Sequence, residues 1–100
     1  MARVVWTEPA IQDLDAIADY ISLNNPIAPQ KFVRKIFSRV KKLEQHPKSG
    51  KSVPELAPSP YRELVIAPCR LFYRTTGDYV YVLHVMRAEQ LFRTELLKSK

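Results

Sequence analysis

The apolar positions change their spacing along the chain, and each change marks an element. Ala2 to Trp6 is short and rich in β-branched residues, which predicts a first strand. Thr7 then predicts a helix N-cap, with Glu8 and Pro9 in the first turn, where a missing N–H costs nothing. Ala10, Leu14, Ile17, Ala18 and Ile21 follow at intervals of four, three, one and three, one face of a helix, with Asp15 and Asp19 turned away. Asn24-Asn25-Pro26 ends that helix and caps a second, predicted from Pro26 to about Gln45, with Pro29 still near its start. There Phe32, Val33, Ile36, Val40 and Leu43 form the stripe to be buried, and Lys31, Arg34, Lys35, Lys41 and Lys42 decorate the other side. So short a connection predicts an antiparallel helical hairpin, with Tyr20 placed to cap its packing.

Beyond residue 45 the period shortens to two. His46-Pro47 closes the helix, Lys48 to Ser52 reads as a turn, and Pro54, Pro58 and Pro60 keep residues 53–60 extended and irregular. Strands are predicted over Tyr61–Ile66, Arg70–Thr75 and Tyr79–Met86, with breaks at Ala67-Pro68 and Thr76-Gly77-Asp78. In the tail from Glu89 to Lys100, Leu91, Phe92, Glu95 and Leu96 fall at helical intervals. Strand, helical hairpin and meander together predict one α+β domain over residues 1–100, its helices on one face of a mainly antiparallel sheet. Alternation assigns Leu71 and Tyr73, and Tyr81, Leu83 and Val85, to the helix side. On the opposite phase stand Arg62 with Leu64, Arg70 with Phe72 and Arg74, and Val82 with His84 and Met86. Three arginines and a histidine are therefore expected to share an uncovered sheet face. Trp6, Phe32, Phe37 and Tyr73 are expected in the core.

Composition narrows the chemistry. A hydrophobic fraction of 46% in 100 residues excludes a disordered chain. One cysteine, Cys69, allows no internal disulfide, and no His or second Cys stands near it at ligand spacing, so no metal site is expected. Two glycines, Gly50 and Gly77, allow no phosphate-cradling loop, and no cofactor is expected. No apolar run approaches the roughly 20 residues of a membrane span, and no signal peptide is evident, so the expected compartment is reducing, in bacteria the cytoplasm. The net charge of +6 is uneven: residues 30–51 set eight Lys/Arg against Glu44 alone. Such a block suits an anionic partner, protein or nucleic acid.

The motifs in order resemble a known group. Val4-Val5-Trp6-Thr7, Asp13-Leu14, Tyr20-Ile21 and Asn25-Pro26 are similar to the opening of the ParE/RelE toxin superfamily. His46-Pro47, Gly50-Lys51, Val53-Pro54-Glu55-Leu56, Tyr61-Arg62-Glu63-Leu64, Arg70-Leu71-Phe72-Tyr73-Arg74 and Val82-Leu83-His84-Val85 continue the likeness over nearly the whole chain. The resemblance implies the toxin of a type II toxin–antitoxin pair, neutralised by a cognate antitoxin that also represses the operon. Operator DNA would then be met only through the antitoxin, whose acidic segment the basic block would steer.

The superfamily has two trades. RelE-like members cut mRNA in the ribosome by attack of a ribose 2′-hydroxyl on the adjacent phosphate, which needs a base, an acid and cations around the phosphorane. Arg62 and Arg70 match basic positions of that site, but Leu64 stands where a lysine is expected. Arg87 is displaced by about one position from the family's arginine, and no tyrosine follows it. His84 is the only proton carrier for neutral pH on this face. ParE-like members instead trap DNA gyrase and need no catalytic residues. The Trp6 opening, the long second helix and the His84-Val85 strand end look more like that branch. The expectation is therefore a gyrase inhibitor that is not an enzyme, with Arg62, Arg70, Arg74, His84 and Arg87 as target-binding candidates. The alternative is a ribosome-dependent mRNA endoribonuclease using Arg62, Arg70, His84 and Arg87. A plainer reading pairs Arg62 and Arg70 with acids such as Glu63.

Overall fold

The computed structural model describes residues 1–23 and 25–89. Strand β1 (Arg3–Trp6) leads into helices α1 (Glu8–Ser22) and α2 (Ala28–Lys41), followed by strands β2 (Lys51–Ser52), β3 (Arg62–Ile66), β4 (Cys69–Thr76) and β5 (Tyr79–Arg87). Short 3₁₀ turns lie at Lys42–Glu44 and Pro54–Leu56. The five strands form one sheet in the order β1-β5-β4-β3-β2, with β1 parallel to β5 and every other pairing antiparallel. This is the expected α+β architecture, with β2 added to it. Among the described residues no helix is long and apolar enough to cross a membrane.

Both helices follow the sequence signals, with shifted ends. Thr7 occupies the N-cap of α1, yet its hydroxyl donates to Val82 O (2.7 Å) instead of capping. The reason is position: β1 ends beside Val82, so the nearest acceptor is on β5. Helix α2 starts at Ala28 rather than Pro26, because Asn25 Oδ1 takes the Ile27 N–H (3.0 Å) and turns the chain first. It ends at Lys41 rather than Gln45, where the Lys42 carbonyl accepts from both Gln45 N (3.3 Å) and His46 N (3.1 Å) and tightens the last turn. Asn24 and the helical spacing at Leu91, Phe92, Glu95 and Leu96 lie outside the described residues.

On the helix side, Leu14, Ile17, Phe32, Ile36 and Val40 bury themselves against Leu64, Ile66, Leu71, Tyr73, Val82 and Val85. One core expectation fails at the rim, and an expectation for the hairpin fails near it. Phe37 is 47% exposed, its ring 4.9 Å from that of half-buried Trp6. Tyr20 does not cap the hairpin; it lies half exposed beneath the Arg87 guanidinium, 3.8 Å from the ring centroid.

The other face of the sheet is not uncovered. Residues 53–61 fold back over it, and Val53, Leu56 and Tyr61 close a second cluster with Phe72, Tyr81, Leu83 and Met86. The β5 phase explains half of the surprise. Phe72 pairs with His84 and Tyr73 with Val82, which leaves Leu83 as an extra residue in a β-bulge. Val80 and Val82 therefore face the helices, and Tyr81 and Leu83 face away, the reverse of strict alternation with Val85. Strand β2, expected as turn, pairs Lys51 with Glu63 and Ser52 with Arg62. Its approach is secured at Gly50, whose N–H donates to Tyr73 Oη (2.8 Å) where a Cβ would stand 2.5 Å from that oxygen.

Candidate functional site

The second face is organised around Arg70. Alternation along β4 puts Arg70, Phe72 and Arg74 on this side, and the β3 register brings Glu63 opposite Phe72. Arg70 Nε donates to Glu63 Oε2 (2.7 Å), while Nη1 and Nη2 donate to the two oxygens of Glu55 (2.8 Å each). The guanidinium also lies 5.0 Å from the Phe72 ring centroid. Lys51 Nζ stands 3.9 Å from Glu63 Oε1, and the Glu63 side chain is only 2% exposed. Two cations thus meet two carboxylates, and the cluster is formally neutral. The Arg70 hydrogen bonds hold the Glu55 carboxyl below the ordinary carboxylate range, and Glu55 in turn strengthens Arg70's hold on its proton. Because Glu55 sits in the Pro54–Leu56 turn, the same bidentate pair latches residues 53–61 onto the sheet.

The other candidates are dispersed. Arg62 stands opposite Tyr73, with Leu64 opposite Leu71, so both belong to the helix side rather than to the face of Arg70. The Arg62 Nη1 donates to Gly50 O (2.8 Å) and Lys48 O (3.2 Å), and so fastens the turn before β2. Arg74 shares the face of Arg70, but it lies 5.0 Å over the Tyr81 ring and donates to the Thr76 hydroxyl. Arg87 stands opposite Cys69 and turns to the α1 side, over Tyr20, with Glu89 3.1 Å away. His84 is drawn to the open edge of β5, where its Nδ1 lies 2.8 Å from Asp13 Oδ2. That oxygen also accepts the Val85 N–H (3.0 Å), so one α1 carboxylate caps the strand edge and orients the imidazole. Of the expected three arginines and a histidine, the structure joins Arg70 and Arg74, with His84 opposite Phe72 and tied at the strand edge to Asp13.

These contacts define what the site can do. Arg70 carries its charge into a pair of carboxylates, which leaves little positive field for a phosphorane. An Asp–His pair can pass a proton, and with Nδ1 engaged the exchange would run through Nε2. Burial pushes the Cys69 thiol up to about 11, so it is no nucleophile at neutral pH. Among the described residues no group of three His, Cys, Asp or Glu could hold a metal ion.

Three participants were not singled out from the sequence as site residues: Glu55, Asp13 and the buried Glu63, the last named only as a pairing partner. Glu55 and Asp13 act across long separations, and no local spacing announces them. The signal for Glu63 was available: the two-residue turn at Ala67-Pro68 sets Ile66 opposite Cys69, which fixes Glu63 against Phe72.

Known proteins resemble this chain over most of its length. Residues 4–92 match the family described as ParE toxin of type II toxin-antitoxin system, parDE. Toxin RelE2 of Caulobacter vibrioides is 34% identical over 92 residues, covering 91% of this chain and 100% of that protein. Y4kP of Sinorhizobium fredii is 39% identical over 90 residues, covering 88% and 90%. A chain of the solved chromosomal ParDE TA system from P. aeruginosa superposes with a TM-score of 0.74 at 34% identity, over 89% of this chain and 98% of that one. With the hairpin on a mixed five-strand sheet and this ordered match, the chain belongs to the ParE toxin family of type II toxin–antitoxin systems, and a cognate antitoxin is its partner.

Proposed function

We propose that this toxin acts by inhibiting DNA gyrase and carries out no RNA cleavage. The observation that carries the reading is the self-neutralised Arg70 cluster. On the face where a nuclease would gather cations around a phosphate, Arg70 is held by Glu55 and Glu63, and residues 53–61 lie across the strands. Leu64 and Arg62 belong to the other side, and Arg87 is turned to α1. The likeness to a chain of the ParDE TA system supports the same branch. In this reading Arg74, with the exposed rim of the Arg70 cluster, is the target-binding candidate that remains on the face.

One observation favours a ribosome-dependent endoribonuclease as the second reading: the Asp13–His84 pair is an oriented proton carrier beside that face. A single preparation separates the two. Purified toxin is expected to block gyrase supercoiling or accumulate cleaved DNA, and to leave ribosome-bound mRNA intact. Cleavage of that mRNA in codon register, with gyrase unaffected, would reverse the assignment.

A further inference from the structure

Among the described residues, two sets of cations contrast. Those on β2, β3 and β4 are absorbed: Lys51 and Arg70 by carboxylates, Arg62 by backbone carbonyls, Arg74 by the Tyr81 ring. Those on α2 are not. Helical geometry gathers Lys31, Arg34, Lys35, Ser38, Lys41 and Lys42 within an arc of about 120°, opposite buried Phe32, Ile36 and Val40. All six are exposed, and α2 contains no Asp or Glu. Among the described residues none of these five cations enters an ion pair; Lys35 Nζ alone reaches a carbonyl, Ala67 O, at 3.3 Å. From Lys31 to Lys42 the stripe runs about 16 Å, with a cation or two on each turn of about 5 Å.

We propose that this face of α2 binds the phosphate backbone of duplex DNA directly and without sequence preference. A protein partner would draw its affinity from apolar or aromatic anchors in desolvated pockets, and the arc holds none. Phe37, the exposed aromatic of α2, lies off the arc against Trp6. A nucleic acid needs no such anchor, because released counterions supply the affinity of a convex basic surface. Single strands are gripped by aromatics interleaved with the cations, again missing from the arc, so a duplex fits better. Lysines dominate and meet phosphates as point charges, which positions a backbone without reading bases. This contact is additional to any made through the antitoxin, and it stands whichever target the toxin poisons.

Anisotropy of a short labelled duplex of arbitrary sequence, titrated with the full chain across a salt series, tests the proposal. Five phosphate contacts predict a slope of log Kobs on log salt near −4.5, a fall in affinity of about 500-fold between roughly 50 and 200 mM. Arg34→Gln with Lys35→Gln, and separately Lys31→Gln with Lys42→Gln, should each flatten that slope by about two at unchanged Tm. Arg3→Gln with Lys48→Gln removes the same charge away from α2 and should leave the slope as it was. No binding at low salt would overturn the proposal, and so would equal flattening by all three pairs. Tighter capture of a single strand, or of poly-glutamate, would overturn it in favour of another polyanion.

Discussion

On one side of the sheet, Leu14, Ile17, Phe32, Ile36 and Val40 meet the strands in a continuous apolar layer. On the other, four buried residues, Val53, Phe72, Leu83 and Met86, are closed over by a 3₁₀ turn whose outer fastening is the Arg70–Glu55 pair. The helix side has the area to hold itself by burial alone. The second face adds a charge network because a short segment with three prolines cannot cover it by packing. Stability therefore resides mainly with the helices, and whatever is recognised on the second face is a partly aromatic surface whose Arg70 cluster is neutralised and which carries Arg74.

Substitutions can break that comparison. Ile36 is fully buried beneath α2, so Ile36→Ala should cost about 4 kcal/mol in urea unfolding. Glu63→Ala strips the buried carboxylate from Arg70 and should cost about 2 kcal/mol, less than a fully buried pair because Glu55 still holds the guanidinium. If Glu63→Ala cost more than Ile36→Ala, charge rather than burial would be the main support. The smallest effect belongs to Glu55→Gln, about 0.5 kcal/mol at neutral pH, since Glu55 is the exposed partner. Because its folded pKa lies below the ordinary 4.5, that contribution is complete above about pH 4.5 and fades as the pH falls through the folded value. Wild-type and Glu55→Gln unfolding curves should therefore converge in acid; a constant gap would mean the latch does not depend on the Glu55 charge.

The sequence made the elements legible because burial imposes its period on them. All three long strands and both helices fall within two or so residues of their expected ends, apart from the last turn of α2. The faces were harder to read. An inserted Leu83 reverses the phase of β5, and alternation alone has no means of counting a bulge. Alternation within β3 does not fix which face Arg62 takes; the Ala67-Pro68 turn does, setting Leu64 opposite Leu71 and so carrying Arg62 to the helix side. The cover formed by residues 53–61 was hidden because Val53, Leu56 and Tyr61 follow no period, and their partners lie on other strands. Glu55 and Asp13 find Arg70 and His84 only once the chain is folded.

The central claim is that this toxin works without moving a proton, and His84 is the residue on which it turns. His84→Gln removes the imidazole that Asp13 orients beside the second face, while its amide can still donate to Asp13. Supercoiling inhibition and growth arrest should stay within about twofold of wild type at an unchanged Tm. General acid–base catalysis is worth roughly a hundredfold or more, so a loss of that size in a protein that still melts normally would contradict the account.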